Sequence, residues 1–126
     1  MKESELRQQL VLAYQRLVEL GLTEQSSGNV SVRTQDGMLI SPSGASAGTI
    51  SAANIVPVKA DGSWQGHHKP SSEWQMHAAI YRAYPEAEAV VHTHSDHCVA
   101  LSCQRKALPG FHYLVGTFGG TDVRCT

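Results

Sequence analysis

The chain has 126 residues, a length that suits one compact domain in which roughly two-thirds of the unfolded surface becomes buried. Hydrophobic residues make up 41% of it, charged residues make up 17%, and the formal net charge is -1. This balance contains no acidic or basic excess that would indicate a nucleic acid, a membrane surface or a charged tail. We therefore expect a single domain over residues 1–126.

The N-terminus and the cysteines indicate the compartment. Residues 1–5 lack the apolar core of a signal peptide, and no run of about 18 apolar residues is present to span a membrane. The three cysteines, Cys98, Cys103 and Cys125, are odd in number and form no C-x-x-C pair, which is typical of reduced thiols. We expect a cytoplasmic protein that binds neither a membrane nor a nucleic acid.

The first predicted element is an amphipathic helix over residues 4–20. Ser4 is available as its N-cap, and Gly21 is placed to end it. Apolar residues recur every three to four positions, as they do on the buried face of a helix. These residues are Leu6, Leu10, Tyr14, Leu17 and Val18.

Three short strands are predicted after this helix, because the hydrophobic period changes to two. Residues 30–33 and 38–40 flank an Asp36-Gly37 turn, which is a strong hairpin signal. A third strand over 55–59 ends at a second turn, Asp61-Gly62. Antiparallel pairing is therefore expected in this half of the chain.

The second half alternates helices and strands. A helix is predicted from Ser72, with Gln75 at capping-box spacing, and Pro85 ends it. The other predicted elements are a buried strand over 89–94, a short helix over 95–103 and a last strand over 111–116, ended by Gly119-Gly120. This order implies a sheet flanked by helices.

His92 and His94 are separated by one residue on a predicted strand. Both imidazoles would leave the same face, with Cα atoms roughly 6.6 Å apart. Two nitrogens can then bind one metal ion, and a catalytic zinc commonly has three protein ligands plus an open position. The alternative is one histidine against a core polar group and the other in solvent. The spacing favours a metal site.

Glu73 lies in the first turn of the predicted second helix. Its ordinary role there would be to interact with the helix dipole, which contributes about 0.3–1 kcal/mol. Near a metal ion the carboxylate could instead act as an acid/base group, because a dication stabilises the oxyanion that forms when a proton is removed. Position in the sequence leaves both roles open.

The remaining histidines are weaker candidates. His67, His68 and His77 are expected to lie at the surface or to be satisfied by ordinary hydrogen bonds, while His97 is a possible further ligand. His112 is followed directly by Tyr113 on a predicted strand, so their side chains should point to opposite faces.

Three loops rich in serine and glycine suggest an anionic ligand. Ser71 and Ser72 stand at the predicted N-terminus of the second helix, where free amides and the dipole favour anions. Backbone amides of residues 26–29 and 41–44 could approach the same anion. Each loop alone is an ordinary turn, but together with the candidate metal strand they indicate a phosphorylated small molecule.

Four motifs occur in an order that resembles a known family. They are Ser26-Ser27-Gly28-Asn29-Val30-Ser31, Ile40-Ser41-Pro42-Ser43-Gly44, Pro70-Ser71-Ser72-Glu73-Trp74 and Val91-His92-Thr93-His94. The sequence resembles the class II aldolase/adducin family over essentially its whole length. The resemblance implies an α/β fold with three α/β/α layers and a mainly antiparallel central sheet.

The resemblance also implies an activity. It assigns zinc (Zn2+) ligation to His92 and His94, acid/base catalysis to Glu73, and assistance to Tyr113, which would reach the active site of a neighbouring subunit. The residues expected to hold the substrate phosphate are Ser26, Gly28, Asn29, Ser43, Gly44, Ser71 and Ser72. The implied reaction is reversible cleavage of a small ketose 1-phosphate into dihydroxyacetone phosphate and an aldehyde by a homotetramer.

One departure from the family pattern limits this expectation. The family has a third histidine ligand on a later segment, whereas this sequence ends at Thr126. We expect a fragment of a longer chain, truncated at its C-terminal side; the alternative is a truncated product that has lost the reaction. Family alternatives are sugar-phosphate epimerases, which typically have aspartate at the position of Glu73, and dehydratases. From other classes, an adducin-like interaction domain needs no metal site, and a cupin-type barrel would need a glutamate that residues 96–99 lack.

Overall fold

The computed structural model describes residues 2–24 and 26–125, and its contacts divide the chain into two units, Met1–Thr93 and His94–Thr126. The first unit contains helix α1 (Glu3–Glu19), strands β1 (Asn29–Thr34), β2 (Gly37–Ile40) and β3 (Val56–Lys59), helix α2 (Trp74–Ala83) and strand β4 (Ala89–His92). The second contains helix α3 (Asp96–Cys103), strand β5 (Leu108–Pro109), a 3-10 helix (Tyr113–Phe118) and strand β6 (Asp122–Val123). The expectation of one domain over residues 1–126 stays a prediction.

The sheet of the first unit is antiparallel throughout, with strand order β3-β2-β1-β4. Strands β1 and β2 form the predicted hairpin, in which Thr34 lies opposite Gly37. A Cβ at Gly37 would come within 2.2 Å of the Val58 carbonyl oxygen, so the hairpin requires glycine there. Strand β4 pairs with the other side of β1 and places His92 opposite Asn29.

Helices α1 and α2 pack on opposite faces of this sheet. Leu39 belongs to the cluster that contains α1, while its neighbours Met38 and Ile40 belong to the cluster that contains α2, as strand alternation requires. On the α1 face, Tyr14 is fully buried and its hydroxyl donates to the Ala45 carbonyl oxygen at 2.7 Å. The three-layer α/β/α arrangement with an antiparallel sheet is therefore confirmed.

Helix α1 begins one residue earlier than the sequence predicts. Lys2 is the N-cap, and its backbone N–H donates to the carboxylate of Glu5 at 3.0 Å, so Ser4 lies inside the helix. The Glu5 carboxylate therefore accepts from the backbone N–H of Lys2, the residue just before the helix. The Ser4 hydroxyl is not needed as a cap. Gly21 has φ 66° and follows the last turn, as predicted.

Helix α2 begins at Trp74, two residues later than predicted, and the capping box from Ser72 does not form. Glu73 is the N-cap, but its carboxylate makes no capping hydrogen bond. It contacts the side chains of Asn29 and His92 instead. Contacts with the sheet therefore decide where this helix begins, and the local capping signal does not.

Strand β4 is shorter and more exposed than predicted. It ends at His92, so His94 lies outside the strand that was expected to carry both histidines. The strand is at the edge of the sheet, and Val91 is 56% exposed. A short apolar run does not distinguish an edge strand from one that is buried on both faces, and the prediction of a buried strand was wrong.

In the second unit, α3 has Ser95 at its N-cap and matches the predicted helix. The predicted last strand was wrong, because its residues enter a 3-10 helix that is followed by Gly119, which has φ 82°. His112 and Tyr113 were expected on opposite faces, but their ring centroids lie only 4.4 Å apart. The helical turn removes the alternation on which that expectation rested. The two-residue strands β5 and β6 were not predicted.

The compartment expectations can be compared with two observations. None of the three cysteines forms a disulfide in the structure, as their odd number and spacing predict. Among the helices of the described residues, none has the length and apolar character required to cross a membrane.

Replacing Ile40 with alanine should lower the free energy of unfolding by about 2–5 kcal/mol, because Ile40 is fully buried between the sheet and α2. Leu12→Ala is the matched control, since Leu12 on α1 is 64% exposed, and it should change stability by less than about 0.5 kcal/mol. Chemical denaturation followed by circular dichroism measures both. Equal losses in the two variants would contradict the three-layer packing.

Candidate metal centre and active site

The carboxylate of Glu73 and the imidazole of His92 lie at the centre of the candidate site. Glu73 precedes α2 and His92 ends β4, so two different elements of the first unit hold them in place. Glu73 Oε2 lies 2.8 Å from His92 Nδ1. The side chains of His92 and Glu73 are 26% and 40% exposed, so a solute can reach the pair.

This hydrogen bond determines which nitrogen of His92 is available to a metal ion. Nδ1 faces the carboxylate and donates its proton to it, so the lone pair of a neutral ring is on Nε2. Histidine ligands commonly donate their other ring N–H to a carboxylate, which fixes the orientation of the ring. The contact between Glu73 and His92 is therefore the arrangement expected of a metal ligand and its orienting carboxylate.

His94 follows His92 by two residues and provides a second imidazole. Ligand atoms of Glu73, His92 and His94 all lie within 4.8 Å of one another. Two imidazole nitrogens beside a carboxylate suit zinc and several other divalent metals, so these groups fit a metal ion without selecting zinc.

A chain of hydrogen bonds extends from Glu73 into the protein interior. Glu73 Oε2 accepts from Asn29 Nδ2 at 2.6 Å, and Asn29 Oδ1 lies 2.5 Å from His77 Nε2. His77 Nδ1 lies 2.7 Å from Ser31 Oγ, which lies 2.7 Å from the hydroxyl oxygen of Tyr81. Every member of this chain behind Glu73 is buried.

The pKa of His77 is lowered to about 4, first by burial and then by a charge on His92, while the charge of Glu73 opposes both effects. His77 is therefore neutral near pH 7. The sequence predicts that His77 lies at the surface or has its hydrogen bonds satisfied in an ordinary way. Both of its ring nitrogens do have hydrogen-bond partners, but the side chain is fully buried behind the site. The available signal was its position one helical turn after Glu73.

Two of the predicted phosphate loops are adjacent. The Ser43 N–H donates to the Lys69 carbonyl oxygen at 2.9 Å, and the Ser71 N–H donates to the Ser41 carbonyl oxygen at 3.0 Å. These two amides are therefore used inside the protein. The side chains of Ser43 and Ser72 are exposed, while Ser71 is buried and its Oγ accepts from the Glu73 N–H at 3.3 Å.

The third loop lies against the end of β4. Gly28 has φ 73°, and a Cβ there would lie 2.9 Å from the His92 carbonyl oxygen and 2.5 Å from Thr23 Oγ1. Both the backbone angle and the close approach require glycine. Asn29, the next residue, reaches Glu73. All three loops therefore adjoin the segment that carries Glu73.

The other predicted residues are exposed. Tyr113 is in the second unit and is 81% exposed, and its role at a neighbouring subunit stays a prediction. His97 is exposed on α3, and His67 and His68 are exposed in the loop before α2, as expected for surface histidines.

A family model described as Class II Aldolase and Adducin N-terminal domain matches residues 8–126. The chain therefore belongs to the class II aldolase and adducin family, and the resemblance identified from the four motifs is confirmed.

Individual relatives are named as aldolases. The chain is 42% identical over 125 residues to L-fuculose phosphate aldolase of Haemophilus influenzae, covering 99% of this chain and 58% of the relative. It is 43% identical over 119 residues to 5-methylthioribulose-1-phosphate/5-deoxyribulose-1-phosphate aldolase of Rhodospirillum rubrum, covering 94% and 54%. A solved structure of L-fuculose 1-phosphate aldolase matches with a TM-score of 0.88 at 35% identity, covering 98% and 59%. The chain thus spans a little more than half the length of these proteins.

Lowering the pH from about 6.5 to about 4 should decrease the free energy of unfolding. In this range the unfolded chain protonates His77 at its ordinary pKa of 6.5, whereas the folded chain does so only near 4, so the unfolded state binds more protons. The contribution is complete above about pH 7 and amounts to about 3 kcal/mol. Denaturant unfolding across this pH range measures it.

The control for this prediction is an exposed histidine. His77→Gln should flatten the pH dependence, because glutamine does not titrate, whereas His68→Gln should leave it unchanged. The same pH dependence in His77→Gln as in the parent chain would contradict the assignment.

Proposed function

We propose that this chain is the metal-binding part of an aldolase that reversibly cleaves a small ketose 1-phosphate, such as L-fuculose 1-phosphate, into dihydroxyacetone phosphate and an aldehyde. The observation that carries the proposal is the Glu73 carboxylate held 2.8 Å from His92 Nδ1, beside the serine and glycine loops. The names of both curated relatives, which refer to phosphorylated sugars, support this substrate class.

His92 and His94 would hold the metal ion, zinc in this proposal, through imidazole nitrogens. A bound ion supplies electrophilic stabilisation of the negative charge that develops when the carbon–carbon bond breaks. The third histidine that the family pattern implies would belong to a longer protein of which this sequence is a part. The coverage of only 58% of the Haemophilus influenzae relative supports this view.

Glu73 would move the proton at the carbon beside the carbonyl group, as a general acid and base. Its Oε2 accepts hydrogen bonds from Asn29 and His92 at 2.6 and 2.8 Å, which restrict the carboxylate to one orientation. Such restriction favours catalysis, because proton transfer requires a heavy-atom distance of about 2.6–3.2 Å in the reacting complex.

The loops around Glu73 would bind the phosphate. Hydroxyl groups are well placed for this role where they are exposed, as at Ser43 and Ser72. The side chain of Asn29 contacts Glu73 and His77, so we propose that it supports the carboxylate in addition to its place in the phosphate loop. The residues proposed to form the phosphate site are Ser26, Gly28, Asn29, Ser43, Gly44, Ser71 and Ser72.

The proposal extends to assembly and compartment. A cytoplasmic homotetramer would allow Tyr113, which is 81% exposed here, to assist at the aldehyde oxygen in a neighbouring subunit. A non-catalytic, adducin-like interaction domain is less well supported, because such a domain has no need for a half-buried glutamate that orients a histidine beside a second histidine.

Replacing His92 or His94 with alanine should weaken zinc binding by at least about tenfold, since even the loss of a group that only orients a ligand costs 10–100-fold. Isothermal titration calorimetry on the purified chain measures the affinity. His68→Ala, in an exposed loop, is the control and should leave the affinity unchanged. Equal affinity in all three variants would contradict the metal site.

Replacing Glu73 with glutamine should reduce the release of dihydroxyacetone phosphate from L-fuculose 1-phosphate by about 100-fold or more, because glutamine neither accepts nor returns a proton. The assay uses the complete protein that carries this domain, with zinc content measured in parallel. Undiminished release by a zinc-loaded Glu73→Gln variant would rule out the acid/base role.

A further inference from the structure

We propose that His77 is a positioning residue for Glu73, because a buried chain of Tyr81, Ser31, His77 and Asn29 directs its hydrogen-bond donors, one after another, toward the Glu73 carboxylate. None of the four sequence motifs contains His77 or Tyr81. The inference rests on the proposed acid/base role of Glu73, but the direction of the hydrogen bonds can be tested without any substrate.

The side chains of this network come together through two periodicities. Glu73, His77 and Tyr81 are spaced by four residues, which places them along one face of α2. Asn29 and Ser31 are spaced by two on β1, so they point to the same face of the sheet. The two rows face each other, and each residue of the β1 row bridges two neighbours of the α2 row.

The direction of the first two hydrogen bonds follows from the carboxylate. An ionised carboxylate only accepts, so the amide nitrogen of Asn29 must face Glu73, 2.6 Å away, and its oxygen must face His77. Because an amide oxygen also only accepts, His77 Nε2 must carry a proton and donate it. One end of the network therefore fixes the tautomer of the imidazole.

The remaining bonds follow from the tautomer. A neutral imidazole with its proton on Nε2 has a lone pair on Nδ1, so the hydroxyl of Ser31 donates to it at 2.7 Å. That hydroxyl has only one proton, and the hydroxyl of Tyr81 therefore donates to Ser31 Oγ at 2.7 Å. Reversing any link would place two acceptors or two donors against each other.

Burial makes the direction of these hydrogen bonds difficult to change. His77, Ser31 and Asn29 are 0%, 1% and 4% exposed, so water does not replace a partner that is lost. In a dry interior the bonds of such a chain polarise one another in the same direction. Burial also lowers the pKa of His77 to about 4 and raises that of Tyr81, so both remain in the protonation states that this direction requires.

The consequence for Glu73 is a fixed acceptor position. The Asn29 amide cannot rotate without losing its bonds to both Glu73 and His77, and His92 donates to the same Oε2 at 2.8 Å. A carboxylate that accepts from two positioned donors keeps one orientation toward a bound substrate. His77 acts on the reaction through Asn29 and does not touch the substrate.

The first test is the tautomer of His77, read from the 15N chemical shifts of the imidazole at pH 7 in the purified chain with 15N-labelled histidine. The proposal predicts a protonated Nε2 and an unprotonated Nδ1, and His77→Gln assigns the resonances. A proton on Nδ1, or a rapidly exchanging mixture of the two tautomers, would overturn the proposal whatever reaction the protein catalyses.

The second test compares two replacements of His77. The amide nitrogen of glutamine can occupy the place of Nε2 and donate to Asn29, whereas leucine cannot donate. The 13C resonance of the Glu73 carboxyl group should therefore shift in His77→Leu and stay close to its original value in His77→Gln. Equal shifts in both variants would mean that His77 only fills space.

Activity of the complete protein provides the last comparison. We expect kcat for ketose 1-phosphate cleavage to fall at least about tenfold in His77→Leu, with KM and zinc affinity nearly unchanged, and His77→Gln to restore most of it. A loss that is equal in both variants, or that follows the fraction unfolded, would overturn the positioning role. Absence of cleavage by the parent protein would refute the proposed function alone, because the tautomer is measured independently.

Discussion

The hydrogen bonds that Glu73 accepts are the constraint on which the site depends. Through one carboxylate oxygen, Glu73 ties the start of α2 to the first residue of β1, Asn29, and to the last residue of β4, His92. Those two residues lie opposite each other on neighbouring strands. The carboxylate thus joins the start of α2 to the sheet at the end of β4, where His92 of the candidate metal site lies. The Glu73 side chain could have capped α2, but it contacts Asn29 and His92 instead.

The parts of the fold that local chemistry determines could be predicted from the sequence. The apolar stripe of α1 and the Asp36-Gly37 hairpin were predicted correctly, because spacing and turn residues are sufficient signals. The start of α2 was not predictable, since Glu73 is held by residues that are 44 and 19 positions away. The segment beginning at Tyr113 reads as a strand, but it forms a 3-10 helix for which its residue pattern contains no signal.

The candidate site also contains residues that could be predicted from the sequence and residues that could not. His92 and His94 could be identified because a pair of histidines two residues apart is a recognisable pattern, even though β4 ends before His94. A single histidine on a helix has no such pattern, and His77 was therefore missed as a member of the site. Its importance comes from partners on β1 that are 46 and 48 residues distant. In the proposed function, the buried network would keep the carboxylate oriented for aldol chemistry.

The most direct test of this account is a crystal structure of the protein grown with zinc, with anomalous scattering measured at the zinc edge. We predict a peak about 2.0–2.1 Å from His92 Nε2 and from one imidazole nitrogen of His94, the distance typical of zinc–histidine bonds. Glu73 should still accept the hydrogen bond from His92 Nδ1. A zinc ion bound at Nδ1 in place of that hydrogen bond, or no zinc at these histidines, would contradict the account.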